Sequence, residues 1–301
     1  MTHPESGPRH PWHGVLVATA LPFRADLTVD LDRYAEHCTW LVENGCDGVV
    51  PNGSLGEYQV LTPDERTAVV ETAVAAVGGD RVMPGVAAYG SAESRRWAEQ
   101  AKDAGCRAVM LLPPNSYRAD ERSVLAHYEE VARAGLPVVA YNNPIDTKVD
   151  LVPELLAKLH GEGFIRGVKE FSGDVRRAYR IAELAPELDL LAGADDVVLE
   201  LAAAGAKGWI AGFPNALPKA GAALYRAAAR GDLTTAMPLY RTLHALYRWD
   251  SKVEFVQAIK ESMDVVGRYG GPCRPPRVPL LPEQAAAVRA ATQKAVAEGL
   301  A

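Results

Sequence analysis

FIRGVKEFSGD (164–174) reads as a strand and the opening of the helix that follows it. Phe164, Ile165 and Val168 form a short apolar run, Ser172-Gly173 makes a turn, and Asp174 begins the next element. Lys169 stands at the end of that run. A lysine held there among low-dielectric walls loses hydration of its ammonium and becomes a nucleophilic amine, able to form a Schiff base with a carbonyl substrate. The competing reading is a surface lysine at a strand end.

The same unit recurs on both sides. GVLVATALPF (14–23) is a continuous apolar run, the pattern of a strand buried on both faces, and helical spacing follows from about Asp30 to Asn44, stopped by Gly45. CDGVVPNG (46–53) is the next strand, and Thr62-Pro63-Asp64-Glu65 opens a helix with a capping threonine, a proline in the first turn and acids beside it. Further strands are RVMPGVAA (81–88), CRAVMLLPP (106–114), PVVAYNNP (137–144), the opening stretch, LDLLAGADD (188–196) and AKGWIAGFPN (206–215), each with a helix after it.

Eight such units predict an α/β (β/α)8 TIM barrel over residues 1–231, since crossover helices are the normal link between neighbouring parallel strands. A doubly wound open sheet is the alternative. It lacks support, because no GxGxxG follows the first strand and no GxxxxGK[ST] occurs. Residues 232–301 are expected to form a C-terminal helical extension packed on the barrel, with helices near 232–248, 252–267 and 282–299 broken by Gly270-Gly271-Pro272 and Pro275-Pro276.

Among 301 residues the hydrophobic share is 48% and the charged share 23%, values of an ordinary globule. A net charge of -6 and the lack of a long basic run argue against nucleic acid as a partner. Cys38, Cys46, Cys106 and Cys273 are too widely spaced for a zinc set and read as small hydrophobes in a reducing compartment. With no signal-peptide pattern in residues 1–13 and no apolar run of membrane-spanning length, a cytoplasmic protein without a membrane partner is expected. No metal or cofactor is expected.

In such a barrel the active site lies at the carboxyl ends of the strands. That rule brings together Gly53, Ser54, Leu55, Gly56 and Glu57 after the second strand, Tyr141-Asn142-Asn143-Pro144 at the fifth, Lys169 on the sixth, and Gly193 and Asp195 at the seventh. The glycines of the second-strand loop permit a tight turn whose Ser54 and Leu55 amides can point at a substrate carboxylate. The Tyr141 hydroxyl can move protons as general acid and base. Glu57 and Glu170 read as structural carboxylates that bond loop amides.

At these residues the chain resembles the dihydrodipicolinate synthase/N-acetylneuraminate lyase family of class I aldolase-type barrels. GSLGE (53–57) is similar to the family's G-[ST]-x-G-E loop, YNNP (141–144) to its Y-N-x-P, and GVKEFSGD (167–174) to its G-[IV]-K-x-x-x-G-D. The resemblance implies that Lys169 forms the imine with pyruvate or another 2-oxo acid and that Tyr141 transfers protons. It implies that Ser54 with the Leu55 amide seats the substrate carboxylate, that Ile210 lines the pocket, and that the protein is a homotetramer built from dimers.

Several positions depart from the synthase pattern. Leu55 replaces a second hydroxyl residue, Asp146 stands where an arginine would grip a second carboxylate, and Asn115 stands where the relay tyrosine belongs. Phe171 is too apolar for a sialic acid lyase. The pattern is most similar to the branch that dehydrates or deaminates small hydroxylated 2-oxo or cyclic imino acids, such as the 1-pyrroline-4-hydroxy-2-carboxylate deaminases. The alternatives are an aldolase on a 2-keto-3-deoxy acid or 4-hydroxy-2-oxoglutarate, a dihydrodipicolinate synthase-like enzyme, and a 2-oxo acid binder without turnover.

Overall fold

A computed structural model describes residues 10–301. Seven parallel strands, β1 (Gly14–Ala18), β2 (Gly48–Val50), β3 (Val109–Leu111), β4 (Val138–Asn142), β5 (Gly167–Glu170), β6 (Asp189–Ala192) and β7 (Gly208–Ala211), pair in the order β2-β1-β7-β6-β5-β4-β3. Residues 82–86 run between β2 and β3. There the Met83 amide donates to Val49 O, Gly85 to Pro51 O, Val86 to Met110 O and Met110 to Pro84 O, at 2.8–3.0 Å. This segment occupies the remaining barrel position, so the chain is a (β/α)8 TIM barrel and β5 is its sixth strand.

The expected strand over 81–88 is therefore present only as isolated parallel bridges, Val49 with Val82 and Gly85 with Met110. Pro84 removes a donor from the middle of the run. The close passage also demands Gly85, whose Cβ would lie 2.4 Å from Asn52 O. Likewise the first strand stops at Ala18, and the buried residues Ala20, Leu21 and Phe23 continue as a loop.

The helices between strands are α1 (Leu31–Glu43), α2 (Pro63–Val77), α3 (Ser91–Asp103), α4 (Glu121–Ala132), the single turn α5 (Pro144–Thr147), α6 (Pro153–Gly161), α7 (Arg176–Leu184), α8 (Val198–Ala203) and α9 (Pro218–Ala229). Their starts follow local chemistry. Asp30 caps α1, and Thr62 with Glu65 forms a reciprocal capping box on α2. The extension contributes α10 (Leu233–Tyr247), α11 (Phe255–Val265) and α12 (Pro282–Ala297). Tyr247 packs edge-on against Trp209 of β7, which anchors α10 on the barrel. The four cysteines are free; Cys38, Cys46 and Cys106 are buried and Cys273 is half-buried. No described helix is long and apolar enough to cross a membrane.

Asn215, fully buried after β7, joins the first and last barrel strands to α1. Its Nδ2 donates to Ala18 O at 2.7 Å and Gly212 O at 2.8 Å, while its Oδ1 accepts from the Ala20 amide at 3.0 Å and lies 2.9 Å from His37 Nε2. Because that oxygen can only accept, Nε2 of His37 carries the hydrogen and Nδ1, which has no partner, is bare. Burial lowers His37 from 6.5 to about 4 and His127 likewise to about 4.

Both histidines are thus neutral in the fold while the unfolded chain takes up their protons below about pH 6.5. Their contribution to stability is full above that pH and is lost as pH falls through about 4, by roughly 3 kcal/mol each. Denaturant unfolding followed from pH 7 to 4 should show that decline, and a His37→Gln/His127→Gln variant should show a shallower slope.

Candidate active site

Lys169 and Tyr141 are register partners on the adjacent strands β5 and β4, so both side chains leave the sheet on the same face. The Lys169 ammonium sits 4.1 Å from the centroid of the Tyr141 ring and 5.4 Å from that of Phe171. It is 5% exposed. Burial lowers its pKa from 10.5 to about 8, against the opposing attraction of Asp250 and Asp195. At pH 7 roughly a tenth of such amines are neutral, compared with about one in three thousand for an ordinary lysine. Gly193 is part of this packing, since a Cβ there would lie 2.5 Å from Glu170 O and 3.1 Å from Lys169 Cγ.

The outward neighbours of the two residues lock the strands. Asn142 donates to Glu170 Oε2 at 3.0 Å and accepts from the Leu151 amide at 2.9 Å, and Glu170 Oε1 accepts from the Ser172 amide at 2.6 Å. Glu170 is the structural carboxylate expected from the sequence. Asn143 caps α5 through the Asp146 amide and donates to Asp146 Oδ2 at 2.8 Å and the Tyr141 hydroxyl at 3.3 Å. The Tyr141 phenol is raised well above its usual range by burial, with the charges of Asp250 and Asp146 adding to it. It is a neutral proton donor.

After β2 the chain turns at Asn52, whose φ is 55°, and at Glu57, whose φ is 56°. The carbonyls of Gly53 and Ser54 accept from the amides of Gly56 and Glu57 at 3.1 and 3.2 Å. The amides of Ser54 and Leu55 and the Ser54 hydroxyl make no hydrogen bond within the described residues. Two adjacent free amides on a tight turn form an anion seat. Leu55 itself is buried.

Glu57, fully buried, is held by the C-terminal extension: Lys260 Nζ of α11 lies 2.8 Å from its Oε1 and the Arg274 amide donates to its Oε2 at 3.1 Å. Lys260 also donates to Pro272 O at 2.8 Å. Arg274 reaches Leu27 O, Val60 O and both oxygens of Glu65, so the tail grips the part of the loop that follows Ser54.

Asp195 and Ile210 fall out differently. Asp195 is turned toward the outer layer, where its carboxylate accepts from Trp209 Nε1 at 3.0 Å, the Gly212 amide at 3.0 Å and the Phe213 amide at 2.7 Å. Its oxygens are thus engaged by the turn after β7. Burial and the nearby Asp250 raise its pKa. Trp209 points outward to Tyr247, so the next residue, Ile210, faces the barrel interior, where it is 1% exposed.

Two residues near the centre carry no sequence signal of their own. Tyr58, directly after the GSLGE loop, receives a 3.4 Å hydrogen bond from Asn115 and interacts electrostatically with Tyr141. Asp250, between α10 and α11, is buried, interacts electrostatically with Lys169 and is raised to about 6 by burial. Among the described residues no group of three or more metal-ligating side chains occurs.

A buried amine at a barrel strand end, beside a phenol and a free amide seat, is the equipment of an enzyme working through a lysine imine. The dihydrodipicolinate synthetase family model matches residues 11–295, and the chain belongs to that family. It is a Schiff-base-forming lyase of the class I aldolase type. A 4-hydroxy-tetrahydrodipicolinate synthase of Methanospirillum hungatei is 32% identical over 88% of this chain and 93% of its own. A crystal structure of a putative dihydrodipicolinate synthetase from Pseudomonas aeruginosa superposes with TM-score 0.89 at 29% identity, over 94% of this chain and 99% of that one. YagE, a prophage protein of the family from E. coli K12 in complex with pyruvate, superposes with TM-score 0.85 at 27% identity, over 94% and 98%.

Two outcomes follow from this geometry. Trapping of a pyruvate adduct by borohydride should rise with pH and level off above about 8, whereas an ordinary lysine would keep gaining toward 10.5; Lys169→Ala should abolish the adduct. Lys260→Met should cost about 3–5 kcal/mol in denaturant unfolding by leaving the buried Glu57 with only the more distant Arg277 guanidinium, at 3.9 Å, for a cation, and adding Glu57→Gln should recover part of the loss.

Proposed function

We propose that the chain dehydrates or deaminates a small hydroxylated 2-oxo acid or cyclic imino acid, in the manner of a 1-pyrroline-4-hydroxy-2-carboxylate deaminase. In this reading the substrate carboxylate rests on the Ser54 and Leu55 amides and the Ser54 hydroxyl. Lys169 attacks C2, opening the ring of an imino acid, and Tyr141 carries protons to and from the carbinolamine. The resulting iminium draws electrons from C3, water leaves from C4, and hydrolysis then releases ammonia and the free oxo acid. Gly193 and Ile210 shape the wall around the bound chain.

The observation that carries this reading is the sign of the charges around the reacting amine. Asp250 and Asp195 act on Lys169, and Asp250 and Asp146 on Tyr141. A second substrate carboxylate would meet Asp250, mostly ionised at neutral pH with its pKa at about 6, and the exposed acid Asp146, which repel it. A hydroxyl or ammonium group would instead find acceptors. The synthase reaction named for the Methanospirillum relative is the second reading, favoured by its 32% identity.

Incubation with 4-hydroxy-1-pyrroline-2-carboxylate should release one ammonia per substrate, and Tyr141→Phe should slow that release about 10²–10⁴-fold. Pyruvate release from a 2-keto-3-deoxy acid without ammonia from the imino acid would make the enzyme an aldolase. Condensation of pyruvate with aspartate semialdehyde as the faster reaction would make it a synthase.

A further inference from the structure

Asn143, between the end of β4 and the start of α5, has both polar atoms of its side chain engaged. The Asp146 amide donates to its Oδ1 at 3.2 Å, and its Nδ2 donates to Asp146 Oδ2 at 2.8 Å and to the Tyr141 hydroxyl at 3.3 Å. A backbone N–H can only donate and an ionised carboxylate only accept, so the side-chain amide cannot be turned over without breaking both bonds to Asp146. The atom facing the phenol is therefore nitrogen. Asn143 is 3% exposed and Tyr141 5%, so the bond between them is made out of water.

That orientation decides where the phenolic hydrogen goes. The Tyr141 ring is held by the Lys169 ammonium over one face, 4.1 Å from its centroid, and by Phe171 edge-on at 6.1 Å, so the torsion of the hydroxyl is its remaining freedom. With the Asn143 donor set against the oxygen, the hydrogen turns away from it. Among the described residues that hydrogen meets no acceptor. A buried hydroxyl hydrogen in that state is costly unless a ligand brings an acceptor, and the amine on the same ring is where a carbonyl substrate arrives. Burial and the charge of Asp250 raise the phenol, and the Asn143 hydrogen bond acts the other way.

We propose that Asn143, locked by Asp146, is the positioning residue of the Tyr141 phenol, aiming its hydrogen at the substrate and holding the phenoxide once that hydrogen is given up. The proposal rests on the proton-transfer part assigned to Tyr141 above and is independent of which group the substrate carries beyond C2. When the Lys169 amine has added to a C2 carbonyl, the carbinolamine hydroxyl takes the Tyr141 proton and leaves as water, while the nitrogen lone pair closes the C2=N bond. The step yields an iminium, a water and a phenoxide. The Asn143 N–H stays on the oxygen that has become charged, a donor in place before the charge develops. At release, water adds to C2 and returns a proton to the phenoxide. Because one transfer serves both directions, Asn143 sets how fast the imine forms and not how much of it forms.

Asn143→Asp keeps the shape and an oxygen for the Asp146 amide but sets an acceptor against the phenol. Asn143→Ser keeps a helix-capping oxygen and is too short to reach the phenol. Quenching pyruvate incubations with borohydride at successive times should show the Lys169 adduct forming about 10-fold or more slowly in both variants, with the final fraction trapped within about twofold of wild type. In a Tyr141→Phe background either substitution should change the rate by no more than about twofold, since the hydroxyl it acts on is gone. Rates within about threefold of wild type in both variants would overturn the proposal. So would a slowing that persists undiminished on Tyr141→Phe, or a lowered final fraction, each of which a structural role would produce. A Tyr141→Phe enzyme that forms the adduct as fast as wild type would instead overturn the reading of Tyr141 itself, a result separate from that of the Asn143 variants.

Discussion

The site depends on keeping the Lys169 amine out of water. A lysine at the end of a parallel strand is desolvated only if its neighbours on both sides hold close, and each does so by a separate device. On β4 the Tyr141 ring lies under the ammonium, positioned by a one-to-one strand register. Toward β6 the chain passes so near that only a glycine fits at position 193. On the far face of the sheet the Asn142–Glu170 hydrogen bond ties β4 to β5, so the strands that carry amine and phenol cannot slide relative to one another. Desolvation lowers the pKa, and the nearby acids limit how far it falls.

The C-terminal extension is therefore as much a part of the site as the barrel strands are. Lys260 is even more buried than Lys169 but has the opposite electrostatic setting: a carboxylate at 2.8 Å and a carbonyl at 2.8 Å. Such a pair contributes position more than net stability, because desolvating two ions offsets most of their attraction. What it positions is Glu57 in a left-handed conformation, and thereby the turn that leaves the Ser54 and Leu55 amides free. Gly270 permits this arrangement, since a Cβ there would lie 2.3 Å from the Lys260 carbonyl. Two buried lysines in one chain thus do unlike things, and the difference lies in what stands within hydrogen-bond reach.

Much of this was legible in the sequence where the causes are local. The capping box at Thr62 and Glu65, the alternation of apolar runs with helices and the three tail helices follow from residues within a turn or two of each other. The segment over 81–88 reads as an apolar strand, but Pro84 interrupts its ladder, and apolarity alone does not count donors. Asp195 reads as a strand-end polar group open to a ligand, yet the turn after β7, distant in sequence, folds its amides onto it. Asp250 could not be found from any motif. It belongs to an ordinary polar stretch, Trp249-Asp250-Ser251-Lys252, and gains meaning only because α10 docks through Tyr247 on Trp209.

The departures from the synthase pattern act in the same direction once they are placed in space. Asp146 is exposed and bonded to Asn143, which in turn contacts Tyr141, whereas Asp250 is buried and its charge acts on Lys169. Two acids thus act on the amine and phenol from different elements, Asp250 on Lys169 and Asp146 on Tyr141. Neither Leu55 nor Phe171, both apolar, offers a donor to a second anionic group at these positions.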